Sequence, residues 1–237
     1  MKRLSVAATM ILVAVSAFGF RFYPIVQDLD PAGQGATRNF YVENTTEGRI
    51  AVQVSIVSRE MDPTGSETHE SAAAEFLVYP AQIILDPGQR QTVRVQWLGS
   101  PSITTELSYR IVAEQLPVSF EDESTEGGQI DIMFRYMGAL YVVPPDARAE
   151  VSVESAMVER RGDETILRLT LVNEGNAHTI LRDLTVTVGD VTLAGDDLAG
   201  VEGENVLADS RRVFEITLPR RVAEGPTNAE ISFTETR

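Results

Sequence analysis

Apolar and polar positions alternate along most of the chain. Ile50, Val52, Val54 and Ile56 interleave with Ala51, Gln53, Ser55 and Val57, and Val93, Val95 and Trp97 interleave with Thr92, Arg94 and Gln96. A period of two sends successive side chains to opposite faces, so both stretches read as half-buried β-strands. The reading extends to Asn39–Asn44, Phe76–Ile84, Leu107–Leu116, Ile130–Val143, Ile166–Val172, Leu184–Val188, Val213–Leu218 and Ala229–Phe233. Turn-forming runs separate them at Asp30-Pro31-Ala32-Gly33, Asp62-Pro63-Thr64-Gly65 and Asp86-Pro87-Gly88. Only Glu70–Glu75, with three alanines, has room for a helical turn.

Short strands at near-regular spacing with turn chemistry between them predict an all-β chain of sandwiches. Phe20–Val143 holds one series, Pro144-Pro145 interrupts the pattern, and a second series follows. The expected architecture is two Ig-like β-sandwich domains, residues 20–143 and 144–237.

Ahead of them, Met1-Lys2-Arg3 precedes the uncharged run Leu4–Phe18, which ends in Ala17-Phe18-Gly19 with small residues where a signal peptidase cuts. Residues 1–19 read as a cleaved secretory signal, since the run is too short to span a bilayer. No later segment is long enough for a membrane helix, and a secreted chain without cysteine suits a bacterial periplasm or cell surface, without stable membrane insertion.

The charge narrows the function further. Asp and Glu number 35 against 20 Lys and Arg; without Lys2 and Arg3 the cations fall to 18, and the mature charge is −17. Lys2 is the only lysine, so every mature cation is an arginine. Such a balance disfavours nucleic acid. The absence of cysteine removes disulfides, thiol nucleophiles and Cys-ligated metals. His69 and His178 stand far apart with no HxxxH or HxH partner, and neither GxSxG nor SxxK occurs. The acids at Gly195-Asp196-Asp197 and Glu202-Gly203-Glu204 lack EF-hand spacing and read as solvated loops. No enzyme, metal or cofactor is expected; Trp97 reads as core and His178 as structural.

The run from Phe76 to Val95, FLVYPAQIILDPGQRQTVRV, resembles the strand–turn–strand "P-P-x-x-x-L-x-P-G-x-x-Q-x-V-R-V" of the periplasmic chaperones of the chaperone–usher pilus pathway, with Ala81 for the second proline. Glu106-Leu107-Ser108-Tyr109-Arg110 with Glu114-Gln115-Leu116-Pro117 is similar to the family's F strand, and Leu140-Tyr141-Val142-Val143-Pro144 stands where its L-F-Y-R-P closes the first domain. Leu171 to His178, LVNEGNAH, resembles the N-x-G-N-x-H run of its divergent, archaic members. The resemblance covers the mature chain and implies a PapD-like chaperone of pilus or fimbrial subunits.

It also implies donor-strand complementation, in which the last strand of the first domain fills the groove of a subunit lacking a strand before delivery to an outer-membrane usher. The corresponding stretch here is Gln129–Val143. Its row Ile130, Ile132, Phe134 and Tyr136 is expected to face the subunit, with Asp131, Met133 and Arg135 on the other face. The acidic stretch Glu121–Gly128 before it reads as a solvated loop. In the family, two basic residues hold the subunit's terminal carboxylate; the matching positions here carry Asp28 and Ala139, and the interdomain arginine falls on Val143. Arg135 and Arg21 are the nearby candidates for a replacement anchor. Without a client, the exposed edge favours a self-dimer. The alternative is a structural or adhesive two-domain surface protein in which the same strands are internal.

Overall fold

The computed structural model describes residues 19–118, 120 and 132–236. Most of the segment read as a signal, the acidic stretch from Glu121, and Ile130 lie outside the described residues.

The first sandwich is built from β1 (Phe20–Tyr23), β2 (Val26–Leu29), β3 (Thr37–Asn44), β4 (Ile50–Ser58), β5 (Glu60–Met61), β6 (Glu67–Thr68), β7 (Phe76–Tyr79), β8 (Gln82–Leu85), β9 (Arg90–Trp97), β10 (Leu107–Gln115) and β11 (Arg135–Val142). One sheet has the order β1-β3-β9-β7 and the other β2-β11-β10-β4-β8, while β5 and β6 form a small hairpin of their own. Pairing is antiparallel except between β11 and β2, which run parallel. Phe40, Val42, Val52, Ile111 and Leu140 are buried between the sheets. Beside them Phe76 meets Trp97 at 5.1 Å and Tyr109 at 4.8 Å, placing Trp97 in the core.

The run read as one strand, Phe76–Ile84, is two. β7 belongs to one sheet and β8 to the other, and the chain crosses between them at Pro80. Proline has no N–H for a ladder, so the crossing falls where pairing must lapse anyway. The chain makes the same move at Pro24, leaving β1 in the first sheet and entering β2 in the second. These two short strands lack enough alternation to be read from sequence, yet β2 lies beside β11.

The second sandwich comprises β12 (Val151–Arg161), β13 (Glu164–Asn173), β14 (Thr179–Val188), β15 (Val191–Ala194), β16 (Asn205–Val206), β17 (Ser210–Thr217), β18 (Gly225–Thr227) and β19 (Ala229–Thr236). One sheet runs β17-β13-β12-β18, and in the other β14 pairs with β15, β16 and β19. Leu167, Leu169, Leu171, Leu184 and Val186 fill its core. The protein is nearly all β, with two β-sandwich domains.

Candidate partner-binding edge

β11 is covered unevenly. On one side β10 pairs with it from Arg135 to Val142. On the other, β2 starts only at Val26, opposite Ala139, and continues to Leu29, opposite Val142. The Gln115 N–H donates to the Phe134 carbonyl at 3.0 Å, and the Ala139 N–H donates to the Ile25 carbonyl at 2.8 Å. In an antiparallel ladder these directions alternate. The main chain of Phe134, Tyr136 and Gly138 therefore turns to β10, and that of Arg135, Met137 and Ala139 turns away from it. Among the described residues no strand meets this second side before Ala139, which leaves an open backbone edge at Arg135 and Met137.

Gly138 marks where that edge closes. A Cβ there would lie 2.7 Å from the Ile25 carbonyl oxygen, so a larger residue would push β2 away.

Side chains around the open edge are apolar and exposed: Ile132 at 69%, Met133 at 53% and Met137 at 37%, with Ile25 at 47% and Val26 at 48% from the start of β2. The expected row fares unevenly. Ile132 is exposed and Ile130 lies outside the described residues. Phe134 and Tyr136, read as facing a partner, turn into their own sandwich instead. Tyr136 meets Phe20 edge-on at 4.8 Å and its hydroxyl donates to the Phe20 carbonyl at 2.6 Å. Met133, read as inward, is exposed. The correction follows from β1: its aromatic side chains supply an inner wall that the alternation within β11 alone does not reveal, because both of its rows contain apolar residues.

The far half of β11 is buried against the second domain. Ala139 and Tyr141 pack with Leu207, beside Met61 and Val143. The Tyr141 hydroxyl accepts from Arg59 Nη1 at 2.9 Å and from Asn205 Nδ2 at 2.8 Å. Burial pushes the Tyr141 phenol up from its ordinary range. Arg59 Nε donates to Glu67 Oε1 at 2.7 Å. Arg110 also binds that carboxylate, through Nη2 to Oε1 and through Nε to Oε2 at 2.9 Å. Burial raises the Glu67 carboxyl, but the Arg110 and Arg59 guanidinium groups outweigh it and hold the carboxyl below its usual range.

Neither expected anchor joins this group. Arg21 stands in β1, on the other sheet, opposite Glu43. Arg135 is exposed on β11 with Glu114 Oε2 at 3.8 Å. Asp28 and Ala139 do come onto adjacent strands, with Asp28 opposite Tyr141 and Ala139 opposite Val26.

The LVNEGNAH segment builds the rest of the junction between the domains. Asn173 Oδ1 accepts from the Gly175 and Glu150 N–H groups, which fixes the turn. Asn176 then reaches the first domain, its side chain donating to the Thr104 carbonyl and its carbonyl accepting from the Glu106 N–H. His178 is buried, with Nδ1 2.7 Å from Glu106 Oε1 and its ring stacked on Tyr141 at 3.8 Å. Its structural reading from the sequence fits this place, but its partners, 72 and 37 positions away, carried no local signal. The acids read as solvated loops are in part structural: Glu202 accepts from the Asp183 and Leu184 N–H groups, and Glu204 pairs with Arg212. Among the described residues no three His, Asp or Glu side chains gather to hold a metal ion. Nor is any helix among them long and apolar enough to cross a membrane.

Residues 31–147 match the family of pili and flagellar-assembly chaperones, PapD N-terminal domain. No curated protein matches the chain. Solved structures share its fold at low identity. The archaic CsuC–CsuE chaperone–tip adhesion subunit complex of Acinetobacter baumannii Csu pili matches with TM-score 0.55 and 15% identity, over 83% of this chain and 89% of that one. The class 5 fimbriae chaperone CfaA matches with TM-score 0.56 and 15% identity, over 91% and 100%. The Salmonella enterica SafA pilin–SafB chaperone complex matches with TM-score 0.54 and 16% identity, over 93% and 99%. The likeness to pili and flagellar-assembly chaperones thus rests on two findings, the PapD N-terminal domain match over residues 31–147 and a fold shared at low identity with solved chaperone structures.

Proposed function

We propose that the protein is a periplasmic chaperone that takes a strand of a pilus or fimbrial subunit onto the open edge of β11 and passes the subunit to an outer-membrane usher. One observation carries the reading: a backbone edge at Arg135 and Met137 that no described strand covers, set among exposed Ile25, Val26, Ile132, Met133 and Met137. Unpaired N–H and C=O groups supply the pairing for a β-strand, and flanking apolar side chains supply the burial. Structures of similar fold include a chaperone with a tip adhesion subunit and a chaperone with a pilin, which supports a subunit as the partner. Ile132 is the member of the expected row that remains for partner contact, joined by Met137. We take residues 20–143 as the subunit-binding domain and 144–237 as the second domain, with residues 1–19 removed on export.

The test is affinity isolation of the tagged mature protein from its native periplasm, beside Ile132→Arg. A small β-rich subunit in roughly one-to-one ratio with the wild type, lost in a folded Ile132→Arg variant, is the expected result. Equal recovery by both, or no partner for either, would overturn the reading in favour of a structural surface protein.

A further inference from the structure

The two arginines nearest the closed end of the open edge are already occupied. Arg110 stands opposite Ala139 in the ladder, so the small Ala139 side chain is all that separates it from the point where β2 begins. Arg59 lies beside it and is buried. Together they form a cradle of the geometry that suits a carboxylate, one guanidinium gripping both oxygens and the second adding to one of them. Glu67 fills it from within the same chain, and Arg59 directs Nη1 to Tyr141.

We propose that Glu67 closes this cradle to outside carboxylates, so the protein accepts a partner strand that runs on past the cleft and needs no chain terminus there. This rests on the chaperone reading for the identity of the partner, but the closure itself is a property of this chain. Glu67 is not a loose side chain that a ligand could push aside. It sits on β6, and its hairpin is tied to the second domain: the Val213 N–H donates to the Pro63 carbonyl at 2.7 Å, and Arg212 Nη1 lies 3.3 Å from Met61 Sδ. Asp62 holds the hairpin's turn, its Oδ1 accepting from the Thr64 and Ser66 N–H groups. A competing carboxylate would have to break this hairpin from both domains or leave Glu67 half-buried beside it without either guanidinium, with only the His69 ring, Nε2 3.6 Å from its Oε2, still near. The other cations near the edge do not replace the pair, since Arg135 stands beside Glu114 and Arg21 opposite Glu43.

Two arms test the inference on the full mature protein. In the first, N-acetylglycine is titrated as a carboxylate probe while the arginine Nε–H signals are followed by NMR. The signals of Arg59 and Arg110 in the wild type are expected to stay in place at concentrations that move both in Glu67→Gln. Movement of both in the wild type would overturn the closure, and this readout stands even where Glu67→Gln fails to fold. In the second, the subunit isolated with the protein is prepared with its natural C-terminus and with a short Gly-Ser extension. Binding of both forms within about twofold is the expected outcome for the wild type, and a tenfold or greater loss on extension would overturn the proposal. Failure to isolate any subunit would sink the chaperone reading and leave the first arm to decide the cradle.

Discussion

Glu67 and Tyr141 belong to one hydrogen-bonded group that ties β11 to the β5–β6 hairpin, since Arg59 donates to both. The Arg110 and Arg59 guanidinium groups hold the Glu67 carboxyl below its usual range. A carboxyl with a depressed folded pKa adds stability above its unfolded value, near 4.5, and loses it as the pH falls through the folded one. The wild type should therefore weaken in urea as the pH drops below about 4.5, and Glu67→Gln should lose part of this acid sensitivity. At neutral pH the variant should be less stable by roughly 2 kcal/mol, since it leaves Arg59 and Arg110 without their anion. A variant that unfolds with an unchanged pH dependence would show that Glu67 bears no load. Tyr141→Phe removes the acceptor for Arg59 and Asn205 while keeping the ring on His178. A buried donor on Arg59 and a half-buried one on Asn205 then lose their acceptor, and a loss of about 1–3 kcal/mol in chemical denaturation is expected.

At the scale of the strand, β11 has two faces with separate roles. Phe134 and Tyr136 look inward to β1, whereas Met133 and Met137 are exposed on the face that also carries Ala139 and Tyr141. Met137→Arg should fold normally and fail to retain a partner. Phe134→Arg should instead destabilise the first domain by roughly 3 kcal/mol or more, because it places a charge beside Gly19 and against the core of the first sandwich. Thermal melting beside partner recovery separates the two; equal stability of both variants would reverse the assignment of faces. This assignment was not legible in the sequence. Both rows of β11 contain apolar side chains, and the choice between them is made by Phe20 on a strand too short to be recognised from its pattern. The long alternating strands such as β4 and β9 were legible because each carries a full apolar face, Ile50, Val52, Val54 and Ile56 in one and Val93, Val95 and Trp97 in the other. The split between β7 and β8 was not, since one apolar run continues across Pro80 while the sheet beneath it changes.

For the whole molecule, the junction between the domains fixes the far half of β11. Tyr141 stacks on His178, Ala139 packs with Leu207, and the β5–β6 hairpin reaches Val213. The two-sandwich architecture was visible in the spacing of strands. The junction was not, because its pairs lie far apart in sequence: Glu106 with His178, Arg59 with Tyr141, and Pro63 with Val213. A strand held at one end and open at the other lets the chain present an edge without losing its place in the sheet. The central claim is that a partner pairs with that edge, and amide hydrogen exchange of the mature protein alone and in its isolated complex measures it most directly. Alone, the Arg135 and Met137 amides should exchange quickly while Tyr136 and Gly138, turned to β10, are protected. In the complex, Arg135 and Met137 should become protected as well. Rapid exchange of both in a stoichiometric complex would contradict the account, because the partner would then be held somewhere other than the open edge of β11.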